Sequence, residues 1–555
     1  MKRLVIAFIL LPELIFAQTY KQLTDSALHV MWSARDTNVL KVYSRSLALY
    51  QEAFRKYPTE TESVALYKAG SIECELGHKR EAFNYLQRYV DKNLWDAILY
   101  PDARSEFVKL ISDPEWDKLV KKAKGNKERF LRPFELKQQM LEKEEMLNTL
   151  NLTDGDALLV YRRIKAYDHF PKIAGHYISM RFPINDRTTT TYLICMPRNY
   201  NQHKSYPLMF SLHGGVQSNT GFPDFMDSLS TGGLNRFYTK YAWLNNVIMV
   251  YPSGNQKYNW MYPDDGFFMV PAILRQIKQI INIDDNRVFI TGHSNGATGS
   301  FSYLMKQPSS FAAFYGFNTR PKVATGGTYI RNILNRSYFN VSTDSDYYYP
   351  PEANDSLSAT MKRMEADYQD HRYNGFPHWF PQFDESEGAH RLLFDDLAKR
   401  KRNPFHADLY WECDDIKYGR GDWVQINLLD TINKPAPWQK NLNFSITKWK
   451  AYGPKHQLIT RDTLINAFKY SKKSGAIKAH YSRNVFTVTT SDVKSFSLLL
   501  SPQMVDFRKP VTVVVNGNLY RKQMPRYDKD YMIQDFKKNA DRSALWVSTI
   551  KVTLY

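Results

Sequence analysis

The sequence predicts an α/β fold in the middle of the chain, preceded by an all-α, repeat-like region and followed by a small β-sandwich. Three observations predict it. From about residue 20 to 150, apolar residues recur at three- and four-residue spacing, the period of a helix face. From about 170 to 400, short apolar strands alternate with helical stretches, the pattern of a mostly parallel sheet wrapped by helices. From about 405 onward, strand-like runs are separated by turn residues, which suggests a small antiparallel assembly. With 555 residues, several cores are expected rather than one. The divisions read as a leader at 1–17, a helical region at 20–150, an α/β domain at 165–403 and a β-rich domain at 404–555.

The leader opens with Met1-Lys2-Arg3, continues as an apolar run from Leu4 to Phe16 and reaches Ala17 before Gln18. That order of basic, apolar and small residues is a secretory signal, so the protein is expected in the periplasm or outside the cell. No other segment reaches the ~20 apolar residues of a membrane helix, so no span is expected after cleavage. Hydrophobic residues make up 43% and charged residues 24%, the balance of an ordinary folded chain rather than a disordered one. The formal charge of +19 would suit an acidic partner, but Lys and Arg are scattered, with only short clusters such as Lys399 to Arg402. Nucleic acid is therefore not an expected partner. Cys74, Cys195 and Cys413 allow at most one disulfide, so bridges do not build this fold.

Within the helical region, Leu66, Ala69, Gly70, Gly77, Ala82 and Leu86 fall where a tetratricopeptide unit places its small and apolar packing residues, with Ser46 and Ala82 near one repeat apart. The segment resembles such a repeat pair, and the resemblance implies a docking face for a protein partner. Lys118 to Glu145 is a charged, helical bridge with an expected break at Gly125.

Strands in the α/β region are expected at Thr191–Met196, Pro207–Leu212, Val247–Tyr251, Arg287–Thr291 and Tyr338–Val341. Later strands are expected at Trp423–Asn427, Val485–Thr489, Phe496–Leu500 and Val511–Val515, with Asn516-Gly517 as a hairpin turn. The segment Arg287 to Ala297 carries the chemistry. A β-branched strand runs into a helix through Gly292-His293-Ser294-Asn295-Gly296, with glycines two residues before and after the serine. A sharp strand-to-helix turn needs small flanking residues and lifts the serine into reach of substrate. A serine hydroxyl becomes a nucleophile only when a base takes its proton and an acid orients that base.

Tyr206 to Gly215, running into His213-Gly214-Gly215, and Asp284 to Gly296 together resemble the esterase branch of the α/β-hydrolases that includes feruloyl esterases and polyhydroxybutyrate depolymerases. The resemblance covers about Thr191 to Leu397 and implies an α/β-hydrolase core with Ser294 as nucleophile. It implies an oxyanion hole from the Asn295 N–H and the Gly215 N–H, with Val216 as the alternative. The acid follows a later strand: Asp346, three residues before Tyr349-Pro350, is chosen, with Asp344 as its rival because Thr343 stands where the family has glycine. For the base, Glu387-Gly388-Ala389-His390 resembles the family's Gly-x-His segment and selects His390, with His378 and His371 as rivals. His293 is read as a packing or cleft-lining residue.

The expected activity is hydrolysis of a carboxylic ester, on a small molecule or linked to a polysaccharide, through an acyl-enzyme. Neither HExxH, paired CxxC nor GxxxxGK[ST] occurs, so neither cofactor nor metal is expected. Tyr258, Asn259, Trp260, Tyr262, Tyr347 to Tyr349, Trp379 and Phe380 are candidates to line an acyl or sugar cleft. The alternatives are a serine peptidase of the same fold and a non-catalytic repeat protein.

Overall fold

The chain is described by a computed structural model that covers residues 18–554 except 35–37, 101–105, 220, 262–263 and 455–456. The leader expected at 1–17 and Tyr262 lie outside the described residues. Two compact units divide the chain, one ending at Leu136 and one from Lys137 on.

In the first unit Thr19 opens the helix Tyr20–Trp32 with a reciprocal capping box to Gln22. Helices Val39–Lys56, Ser63–Leu76 and Lys79–Asp91 follow. Buried Ala27, Ala53, Ala65, Ala69 and Ala82 let neighbouring backbones approach, and Ser46 Oγ donates to Ala27 O at 2.7 Å. The break expected at Gly125 does not occur: one helix spans Pro114–Lys143 through Gly125 and Pro133. An isolated glycine costs a helix only about 1 kcal/mol, which the surrounding Lys, Glu, Leu and Gln residues offset.

The second unit is built on an eight-stranded mixed sheet. Its strands are β1 (Tyr177–Asn185), β2 (Thr188–Cys195), β3 (Tyr206–Leu212), β4 (Ile248–Pro252), β5 (Ile283–Gly292), β6 (Ala313–Phe317), β7 (Ser337–Ser345) and β8 (Tyr368–Pro377). They lie in the order β1-β2-β4-β3-β5-β6-β7-β8; β2 is antiparallel to both neighbours and β4 through β8 are parallel. Every residue of β3, β4 and β6 is buried, as expected of central strands covered on both faces. Leu208, Phe210, Ile248, Val250 and Ile290 point into one core with Ile273, Ile277 and Phe301; Met209, Met249 and Phe289 point into another with Tyr238, Leu393 and Phe394.

After the sheet come β9 (Asp408–Cys413), β10 (Arg420–Gly421), β11 (Val424–Leu429), β12 (Ser445–Tyr452), β13 (Leu458–Asn466), β14 (Gly475–Ser482), β15 (Val485–Ser491), β16 (Val493–Leu500), β17 (Val511–Val515), β18 (Asn518–Gln523) and β19 (Ser548–Thr553). They form a sheet β10-β11-β16-β19, a sheet β18-β17-β15-β14-β9 and a two-stranded ribbon β12-β13. Ile426, Phe496 and Leu498 of the first sheet meet Ile477, Phe486 and Val488 of the second in one core. Asn516 and Gly517, both at positive φ, turn β17 into β18 as a two-residue hairpin requires. Buried ion pairs tie this region to the segments around the mixed sheet: Arg336 to Asp422 at 2.6 Å, Lys306 to Asp414 at 2.7 Å and Arg402 to Asp541 at 2.7 Å. The three cysteines are buried and unbonded. No helix among the described residues is long and apolar enough to cross a membrane.

Candidate active site

Ser294 sits between β5 and the helix Asn295–Lys306 with φ 59° and ψ −121°, a backbone conformation that an L-residue holds only when its surroundings enforce it. Close packing enforces it here. A Cβ on Gly296 would lie 1.8 Å from Leu212 O, and one on Gly292 would lie 2.5 Å from the Gly296 carbonyl carbon, so neither position accepts a side chain. The Ser294 N–H is anchored to Phe317 O at 3.1 Å, which fixes the turn against the end of β6. The serine is 8% exposed, recessed yet within reach of solvent.

The candidate acid and base lie just beyond the carboxyl ends of β7 and β8, where parallel sheets gather their site loops. Asp346, just beyond β7, accepts from His378 Nδ1 at 2.7 Å and from Tyr348 N–H at 2.8 Å. A carboxylate can only accept from that ring nitrogen, so Nδ1 carries the proton and Nε2 is left as the basic nitrogen. Tyr348 then ties this loop to the nucleophile turn: its hydroxyl accepts from Asn295 Nδ2 at 2.9 Å and lies 3.1 Å from Thr298 Oγ1. The His378 carbonyl is gripped by two donors, His293 Nε2 and Asn318 Nδ2, each at 2.7 Å.

The expectation of His390 beside Asp346 is therefore corrected. His390 lies in the helix Glu387–Lys399, fully buried among Phe237, Tyr238 and Phe317, with Nδ1 donating to Ser386 O at 2.8 Å and Nε2 without a partner. Burial pushes its pKa down to about 4, so it is a neutral core residue. His371 lies on β8, stacked on Phe339 and bonded to Gln369. Asp344 accepts from the Gly375 N–H at 2.8 Å and caps the β7–β8 irregularity rather than meeting a histidine. His293 must donate from Nε2 to the His378 carbonyl; burial, then the neighbouring His378, hold its pKa down to about 3. It is a neutral brace for the base segment.

Asn295 begins its helix, and no hydrogen bond among the described residues uses its N–H. Gly214, directly before Gly215, faces the same turn from a loop that is itself pinned. A Cβ on Gly214 would lie 3.1 Å from Ser294 Cβ, and Gly215 has φ 64°. The Gly254 N–H donates to His213 Nε2 at 3.0 Å, so His213 carries its proton on Nδ1 and donates to Gly214 O at 2.8 Å. Burial lowers the His213 pKa and keeps this neutral tautomer. Val216, the alternative donor, is fully buried.

The aromatic candidates divide. Tyr258, Asn259 and Trp260 are buried; Trp260 packs against Gly254 and Gly299 and meets His213 edge-on. Phe380 and Tyr349 are buried too. Trp379, 42% exposed, and partly buried Tyr347 flank the His378 ring at 5.2 and 4.8 Å between centres. The ribbon β12-β13 reaches the same place: Trp449 Nε1 donates to Tyr347 O at 3.1 Å, and Tyr452 lies 5.2 Å from Tyr347. The ribbon's presence at the site had no sequence signal; that of His378 was its place immediately after the last strand of the sheet. Among the described residues no group of three or more His, Cys, Asp or Glu side chains is placed to hold a metal ion.

No protein-family model and no curated protein sequence matches the chain. Among solved structures it is similar to a thermostable esterase (TM-score 0.34, 20% identity, 41% of this chain and 64% of that one). It is also similar to a structure described as a dipeptidyl aminopeptidase IV from Bacteroides ovatus (0.33, 13%, 40% and 36%). A third is a ferulic acid esterase (0.32, 15%, 40% and 95%). The chain thus spans less than two thirds of the length of the first two.

Proposed function

We propose that this protein is a serine hydrolase of carboxylic esters with an α/β-hydrolase core, acting through Ser294, His378 and Asp346. The observation that carries the reading is the 2.7 Å pairing of His378 Nδ1 with Asp346, on the loops that converge on the strained Ser294 turn. The strand order, with β2 antiparallel and the serine at the end of β5, supports the same core.

In this mechanism His378 Nε2 takes the Ser294 proton as Oγ attacks the ester carbonyl. Asp346 holds the ring in the reactive tautomer and stabilises the imidazolium. The carbonyl oxygen, now negative, is met by the Asn295 and Gly215 N–H groups, each worth roughly 10²–10³ in rate. His378 returns the proton to the departing alcohol, leaving an acyl-Ser294. Water, deprotonated by the same nitrogen, then releases the acid and regenerates Ser294.

Trp379, Tyr347 and Tyr452 favour an acyl or alcohol part with a flat face, as in hydroxycinnamoyl or glycosyl esters. The basic, apolar and small-residue leader supports export, and the helical unit up to Leu136 is a candidate docking face for a protein partner. Incubation of the protein with 4-nitrophenyl acetate, followed by acid quench and peptide mass analysis, tests the reading. The expected outcome is one acetyl group on the peptide bearing Ser294 and none in Ser294→Ala, with turnover lowered about 10⁴-fold or more. Acetylation elsewhere with unchanged turnover in the variant would refute it.

A further inference from the structure

The end of β6 runs beside the nucleophile turn: Phe317 O anchors the Ser294 N–H, and Asn318 holds the His378 carbonyl. Two residues further, Arg320 is partly buried, its guanidinium carbon 4.8 Å from the centre of the Trp449 ring. Among the described residues it has no carboxylate partner and makes no hydrogen bond. The contrast with other enclosed arginines is sharp, because Arg336, Arg402 and Arg420 each face an aspartate. Enclosed cations are normally paired, since leaving water costs them solvation that a counter-charge restores.

Lys322 deepens the imbalance. It too is partly buried and has no acidic partner among the described residues; burial, then Arg320 and Lys469, lower its pKa. These positive charges repel one another at the carboxyl end of the sheet, beside the reacting groups. Arg320 connects to the base through rings in contact: Trp449 stacks on Arg320 and bonds to Tyr347, and Tyr347 lies against His378. Tyr452, 54% exposed, and Trp379 extend that surface into solvent.

We infer that the esters taken by this site carry a second, free carboxylate on a ring that lies against Tyr347, Tyr452 and Trp379, and that Arg320, with Lys322, binds it. The inference rests on the hydrolase reading of Ser294, His378 and Asp346. A guanidinium presents a planar fork that matches a carboxylate, and the Trp449 ring 4.8 Å from its carbon limits how far that fork can swing. A single negative charge also relieves the repulsion between Arg320 and Lys322, a gain that a neutral isostere lacks.

The test uses the full chain carrying Ser294→Ala, titrated calorimetrically with two isosteric pairs of esters. One pair is 3-acetoxybenzoate and 3-acetoxybenzamide, with the charge on the alcohol side. The other is monomethyl isophthalate and methyl 3-carbamoylbenzoate, with the charge on the acyl side. In at least one pair the carboxylate should bind about tenfold or more tightly than the amide, a preference that weakens with added salt. Arg320→Gln should bring that ratio to within about twofold of one, while Arg320→Lys retains most of it. Equal affinities within both pairs, no binding by any of the four, or a preference that survives Arg320→Gln overturns the inference. Failure of the hydrolase reading shows separately, as a wild-type protein that turns over none of the four esters.

Discussion

His293, His378 and His390 are all buried, but of the three only His378 is paired to a carboxylate, and this difference in surroundings sets three different roles. Burial holds His390 to a pKa of about 4 and His293 to about 3, against an ordinary value near 6.5. As pH falls, the unfolded chain takes up these protons before the folded one does. Stability is therefore complete above about pH 6.5 and is lost as pH drops from 6.5 toward 4, by roughly 3 kcal/mol for His390 alone. Urea unfolding at pH 7, 5.5 and 4 should show this decline, and His390→Gln should flatten it by about one histidine's share. An unchanged slope in the variant would show that His390 does not titrate as its burial requires. His378 differs because Asp346 faces its Nδ1 and leaves Nε2 without the proton.

At the scale of elements, the apolar strands were legible and the polar ones were not. β2, β3, β4, β5 and β7 were anticipated within a few residues at most of their ends, because central strands read as continuous apolar runs. β6 was missed because the run Ala313–Phe317 is short and broken by Gly316. β8 was missed because it is an edge strand, Tyr-Gln-Asp-His-Arg-Tyr-Asn-Gly-Phe-Pro, whose residues are all partly or fully exposed and show no apolar alternation. Missing β8 had a direct consequence for the site. Gly388-Ala389-His390 matches the family's Gly-x-His segment, but it lies inside the helix Glu387–Lys399, whereas His378 directly follows the strand that ends at Pro377. The glycine-flanked serine turn was legible because its constraint is local: Gly292 and Gly296 are demanded by backbone contacts within the turn and with Leu212. The ribbon β12-β13 meets the Asp346 loop from about a hundred residues away, and no local pattern announces such a contact.

At the scale of the molecule, the mixed sheet and the later strands share one core and are bound by buried ion pairs, so they should unfold together. Arg336 immediately precedes β7, which leads into Asp346, and its partner Asp422 stands between β10 and β11. Burial alone would raise the Asp422 pKa, but Arg336 and His406 outweigh it and hold the carboxyl down to about 2. Asp422→Ala leaves a buried guanidinium unpaired and should cost about 3–5 kcal/mol. Denaturant unfolding of the variant, followed by near-ultraviolet circular dichroism, should keep a single transition for the part from Lys137 on, at a lower midpoint. A change of under about 1 kcal/mol, or separate transitions for the sheet and the later strands, would mean that they are independent bodies.

On the proposed reading His378, and not His390, takes the Ser294 proton. Pre-steady-state hydrolysis of 4-nitrophenyl acetate by the wild type, His378→Gln and His390→Gln separates the two histidines. A stoichiometric burst is expected in the wild type and in His390→Gln, with acylation slowed about 10³-fold or more in His378→Gln. A burst that persists in His378→Gln and disappears in a folded His390→Gln would contradict it.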